Sequence, residues 1–84
     1  MLTADTITDE QIRELESDVL DVGSDKEKCR IVDLSTRALG EIPSFEVALA
    51  HVGAHPGEYL SKLRRRRKIA RARCAEILNA RSRQ

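Results

Sequence analysis

Residues 7–22 read ITDEQIRELESDVLDV. Thr8-Asp9-Glu10-Gln11 has the form of a capping box, in which the Thr8 side chain accepts from the Gln11 amide and Gln11 reaches back to Thr8. Ile7 before the cap and Ile12 at the fourth helical position fit a hydrophobic staple. Ile12, Leu15, Val19 and Val22 then share one face at helical spacing. Gly23 is a natural stop. The stretch predicts an amphipathic helix that needs helical partners.

The rest of the chain supplies them. Ser24-Asp25-Lys26-Glu27 forms a second box, opening a helix to about Leu39 that Gly40 ends. Its apolar residues Cys29, Ile31, Val32, Leu34, Ala38 and Leu39 cover more than half the circumference, which predicts a central helix. Ile42-Pro43 forces an extended link. Ser44 caps a short third helix with Phe45, Ala48, Leu49 and Val52 on one side, ended by Gly53. Pro56 suits the first position of a fourth helix, which runs to about Arg81. Its expected core stripe is Leu60, Leu63, Ala70, Cys74, Ile77 and Leu78. At about 40 Å it would exceed the width of the domain, so it projects or bends. Residues 1–6 read as a flexible tail and 82–84 as a frayed end. The expectation is all-α: a single domain, 1–84, built as a small bundle of about four helices with a long basic C-terminal helix.

Eighty-four residues bury only roughly 60–65% of the unfolded surface, so stability is marginal. The net charge of +1 hides an asymmetry. Residues 1–33 hold ten acids and four bases, whereas residues 62–84 hold ten bases and one acid. Such a chain binds an anionic partner with one end or folds one end onto the other. The opening MLTADTITDE has no basic and apolar regions of a secretory signal. No apolar run approaches the ~20 residues of a membrane span. Two cysteines, Cys29 and Cys74, predict reduced thiols facing the core and a cytoplasmic setting.

KLRRRRKIARARC, residues 62–74, contains eight bases and no acid. Arg64, Arg65, Arg66 and Arg67 point in four directions around a helix. Arg67 falls between Leu63 and Ala70 on the core side, where it either snorkels outward or pairs with an acid of the first helix. The functional reading is phosphate contact through Ser61, Lys62, Arg64, Arg65, Arg66, Lys68, Arg71 and Arg73, each neutralised phosphate releasing a counterion. The competing reading is self-neutralisation. Glu10, Glu14, Asp18 and Asp21 run along one side of the first helix and would screen the arginines, each exposed pair worth about 0–1 kcal/mol. With Arg67, those four acids are also the candidate contacts to a protein partner.

Residues 47–63, VALAHVGAHPGEYLSKL, resemble a helix-turn-helix. Ala48 matches the small residue at the helix contact, Gly53 the turn glycine, Ala54 the buried turn residue, and Tyr59 and Leu63 the apolar positions of the second helix. The resemblance implies that His55, Gly57, Glu58, Ser61, Lys62 and Arg65 face the major groove. Separately, ITDEQIREL at 7–15, STRAL at 35–39 and ARARCAEILNAR at 70–81 resemble small uncharacterised helical proteins of bacteria, phages and plasmids, which share the opening I-[ST]-D-E-Q-I and the ending A-R-x-x-C-A-x-[IV]-[IL]. That resemblance implies a compact helical fold and a bacterial or mobile-element origin, and no activity. Residues 41–69 depart from the pattern like an insertion.

Other chemistries are poorly served. Cys29, His51, His55 and Cys74 lack a C-x-x-C pair, so no metal is expected. Neither cysteine has an orienting group or oxyanion hole by pattern, and no glycine-rich phosphate loop exists, so no cofactor and no enzyme are expected. The basic helix lacks bulky anchors for a membrane surface. Phe45 and Tyr59 are the only aromatics, which disfavours single strands read by stacking. The sequence therefore points to a non-enzymatic protein that binds the backbone of duplex nucleic acid through helix 56–81. The alternative is a small phage or mobile-element protein that modulates a host complex, as anti-CRISPR inhibitors and adaptors do. A homodimer through the long helix is a third class.

Overall fold

The computed structural model describes residues 1–40 and 56–82. The short helix expected over 44–52 lies outside them. Among the described residues the fold is all-helical: α1, Asp9–Val22; α2, Asp25–Leu39; and α3, Pro56–Ser82.

The local signals at the start of α1 act together. The Thr8 hydroxyl accepts from Gln11 N–H at 3.2 Å, and Thr8 N–H donates to the Gln11 side chain at 2.9 Å. Ile7 and Ile12 are both buried, so the staple closes as well. At α2 only half of the expected box forms: Ser24 Oγ accepts from Glu27 N–H at 3.3 Å.

The two helix ends use glycine for different reasons. Gly40 has φ +73°, a left-handed conformation that costs other residues about 1–2 kcal/mol, and its N–H closes the last turn onto Arg37. Gly23 is extended, with φ −78°. What it needs is space, because a Cβ there would stand 2.7 Å from Val19 O and 2.9 Å from Val19 Cγ1.

α2 packs against both α1 and α3, which touch each other only slightly. The core is Ile7 with Ile12, Leu15 and Val19 of α1, Ile31 and Ala38 of α2, and Ala70, Cys74 and Ala75 of α3. Each large aliphatic side chain buried here contributes about 1.5–3 kcal/mol. The most deeply buried positions of α2 and α3 are small, Ser35 and Ala38 on one and Ala70, Cys74 and Ala75 on the other, which favours close approach of the helices. Ser35 is the one buried polar residue among those described; its hydroxyl donates to a Glu16 carboxylate oxygen and lies 3.1 Å from Val32 O.

The core departs from the sequence expectation in several places, Val32 of α2 among the residues left exposed. Val22 is 84% exposed, because the chain turns at Gly23 before a fourth apolar position can be covered. Cys29 is exposed, not core-facing, since the buried face of α2 is the narrower Ile31–Ser35–Ala38 stripe. Leu60 is exposed and Leu63 half-buried, and neither joins the core cluster; Ala75, unassigned by the sequence, does.

Residues 1–6, expected as a flexible tail, are bound to the bundle. Thr3 and Thr6 close a turn, Ile7 N–H donating to Thr3 O at 3.0 Å. Asn79 of α3 bonds Leu2 twice: Leu2 N–H donates to Asn79 Oδ1 at 2.9 Å, and Asn79 Nδ2 donates to Leu2 O at 2.8 Å. A side-chain amide thus replaces one rung of β-like pairing.

Candidate nucleic-acid interface

α3 carries the basic run, and its packing divides that run into two groups. Arg67 and Arg71 serve the fold. The Arg67 Nε donates to the Ala38 carbonyl at 3.1 Å, at the end of α2 where helical carbonyls lack intrahelical donors. Its guanidinium also lies beside Gly40. Neither sequence expectation for Arg67 describes this contact, which is to a backbone carbonyl.

Arg71 holds the N-terminal segment. Its Nε donates to Ala4 O at 3.3 Å, Nη1 to Asp9 Oδ1 at 2.7 Å, and Nη2 to Ile7 O. The side chain is only 16% exposed. The Arg71 hydrogen bond holds the Asp9 carboxyl below its ordinary range. Arg71 was expected among the phosphate contacts; the structure instead commits its guanidinium to three internal acceptors.

Ser61, Lys62, Arg64, Arg65, Arg66, Lys68 and Arg73 are all exposed. Among the described residues, the ion pairs are Arg37–Asp33 at 3.3 Å, Arg71–Asp9 and Arg81–Asp18 at 3.9 Å. None involves these cations. At roughly 100° per residue, Lys62, Arg65, Arg66 and Arg73 share one outward face, Lys68 lies on its flank, and Arg64 points to the other side of the helix, near Arg71 and Ala75. Arg67 is the point where α3 meets the end of α2. The ten residues before it, starting at Gly57, span about 15 Å.

Glu10, Glu14, Asp18 and Asp21 are exposed on the outer side of α1, away from the buried Ile12–Leu15–Val19 stripe. Among the described residues, only Asp18 of the four reaches an arginine, and that one is Arg81, beyond the basic run. Among the described residues, the acid that engages the run is Asp9, outside the expected ridge.

An open groove of about 960 Å³ lies between α2 and α3. Its lining includes Ile31, Leu34 and Ile77, with Arg30 and Arg37 of α2 and Arg73 and Arg81 of α3. Glu27, Asp33 and Glu76 line it too, so its charge is mixed. Arg30 and Arg37 were not singled out in the sequence; Arg37 is paired with Asp33, so of the two only Arg30 adds a cation unpaired among the described residues.

Cys74 is buried, which pushes its thiol pKa up, and Cys29 stands exposed on α2; both are free thiols. His51, His55, Ala48, Gly53 and Ala54 lie outside the described residues, and with them the turn of the expected helix-turn-helix. Among the described residues no helix is long and apolar enough to cross a membrane. Comparison with known proteins finds no matching family model, curated protein or solved structure.

Proposed function

We propose that this chain is a non-enzymatic binding protein that holds duplex nucleic acid by its backbone, through Lys62, Arg64, Arg65, Arg66, Lys68 and Arg73 of its long basic helix. One observation carries the reading. Arg67, itself exposed, and the largely buried Arg71, interleaved with these six, hydrogen-bond to the fold, while the six are exposed and unpaired among the described residues. A cation exposed beside others of its sign repels them, and phosphates relieve that repulsion while releasing counterions.

A labelled duplex titrated with the protein tests this. Binding at low salt that weakens by orders of magnitude towards about 200 mM supports backbone contact. No binding at low salt removes the reading. Ser61 would add a hydroxyl contact to phosphate. A duplex-binding protein with two unbridged thiols fits the cytoplasm.

A second reading has its own observation. Glu10, Glu14 and Asp21 are exposed and unpaired among the described residues, which fits an acidic face offered to a basic protein surface. In that case the chain is an adaptor or inhibitor of a host complex, and substitutions on α1 rather than α3 abolish its effect.

A further inference from the structure

Ile69 is 50% exposed on α3. Nothing in the core requires it there: at roughly 100° per residue it points about 140° away from Cys74 and about 180° away from Leu78. A β-branched residue is also a poorer helix former than the alanine or lysine expected on a solvated face. Single exposed aliphatics are ordinary; the surroundings of this one are not. Lys62, Arg65, Arg66 and Arg73, at i−7, i−4, i−3 and i+4, surround it on the same face, and all are exposed. Its other near neighbours on that face are the small Ala72 and, at i+7, the exposed Glu76.

We propose that α3 enters the major groove of B-form DNA with Ile69 against the base edges, touching thymine methyl groups, while the surrounding cations reach the phosphates on either side. The inference rests on the duplex-binding reading above and names its substrate. A helix lying across the phosphate ridges needs cations alone. A helix lying in the groove turns the middle of its outer face to the bases and its flanks to the two strands. The major groove, about 12 Å wide, admits a helix, and the thymine methyl is the apolar group on its floor. The major groove of duplex RNA is too deep and narrow for such a helix, so the arrangement selects DNA. Glu76, two turns after Ile69, would be repelled by phosphates and bounds the footprint at that end.

The test compares alternating poly(dA-dT) with poly(dA-dU), which differs by the thymine methyl. The full chain is expected to bind the thymine duplex about 4-fold tighter, the worth of roughly one buried methyl group. Ile69→Ala should abolish that preference and Ile69→Val should retain it. Arg65→Ala should weaken both duplexes alike and lower the salt slope by about one. Equal binding of both duplexes by the wild type, a preference that survives in Ile69→Ala, or equally tight binding of duplex RNA would each overturn the inference. If Arg65→Ala still lowers the salt slope in those cases, backbone binding stands without groove entry. Binding to neither duplex would defeat both readings and leave an acidic protein surface as the partner of this face.

Discussion

Arg67 donates from Nε to the carbonyl oxygen of Ala38, 3.1 Å away, across the join between α3 and the end of α2. The contact places a fixed positive charge at the negative end of the α2 dipole and satisfies a carbonyl there. A hydrogen bond from a charged donor contributes about 1.5–3 kcal/mol. Arg67→Ala should therefore lower the thermal midpoint by at least several degrees, about 4–8 °C per kcal/mol for a domain this size. Arg64→Ala, on the exposed surface, should leave it within about 0.5 kcal/mol of wild type. Thermal unfolding followed by circular dichroism checks both, and equal effects would mean that Arg67 is merely another surface cation.

The Arg71–Asp9 pair should make the N-terminal segment sensitive to pH. Asp9 is held below its ordinary pKa first by the hydrogen bond from Arg71. A carboxylate depressed in the folded state stabilises it above the ordinary aspartate value, and that contribution is lost as pH falls through the folded value. Residues 1–6 should thus loosen below about pH 4, the ordinary range for aspartate. Asp9→Asn should remove the dependence. Amide exchange at Ile7, whose N–H bonds Thr3 O, reads the outcome.

The same segment has a second tie at Asn79. Asn79→Ala removes both bonds to Leu2 and should expose the segment to proteolysis while leaving the core intact. Each lost bond is worth about 0.5–1.5 kcal/mol. Unchanged cleavage would show that Arg71 holds the segment alone.

The thiols should separate cleanly. Cys29 is exposed and Cys74 is buried, with its thiol pKa raised by that burial. An aromatic disulfide reagent near pH 8 should modify one thiol per chain quickly and the second only on unfolding. Two fast thiols would contradict the packing of α3 on α2.

What could be read in the sequence was governed by local chemistry. The Thr8 box, the Ile7–Ile12 staple and the Gly40 stop act within a few neighbouring residues, so pattern alone finds them. The buried stripe of α1 was legible up to Val19 and failed at Val22, where tertiary coverage, not period, decides burial. The roles of Arg67, Arg71 and Asn79 were illegible because their partners, the Asp9 carboxylate apart, are backbone carbonyls and amides far along the chain. Sequence patterns carry no mark of such groups. An arginine that caps another helix is indistinguishable, by residue type, from one that waits for phosphate. Of the candidate interface, the exposed cations were legible as charge; the division among them became visible only through packing. Ile69 stood within the quoted run as one more apolar residue, and its outward direction became informative only once Ala70 and Cys74 were seen to face the core.

Gly23 and Gly40 offer a matched test of the helix ends. Gly23→Ala should destabilise by crowding Val19, and Gly40→Ala by about 1–2 kcal/mol through its left-handed backbone. Asparagine at position 40 should recover part of the loss, since it tolerates that conformation; at position 23 it should not. Chemical denaturation of the four variants distinguishes a steric cause from a conformational one.

The most direct measurement of the division within α3 is the slope of log Kobs for duplex binding against log salt. Wild type should show a slope of about −4.5 to −5.5, from five or six phosphate contacts at roughly −0.9 each. Arg64→Ala with Arg65→Ala should reduce its magnitude by one to two at unchanged stability. Arg67→Ala should lower stability and leave the slope unchanged. A slope near zero, or a loss of slope on removing Arg67 as large as that on removing Arg65, would contradict the assignment of these arginines to partner and fold.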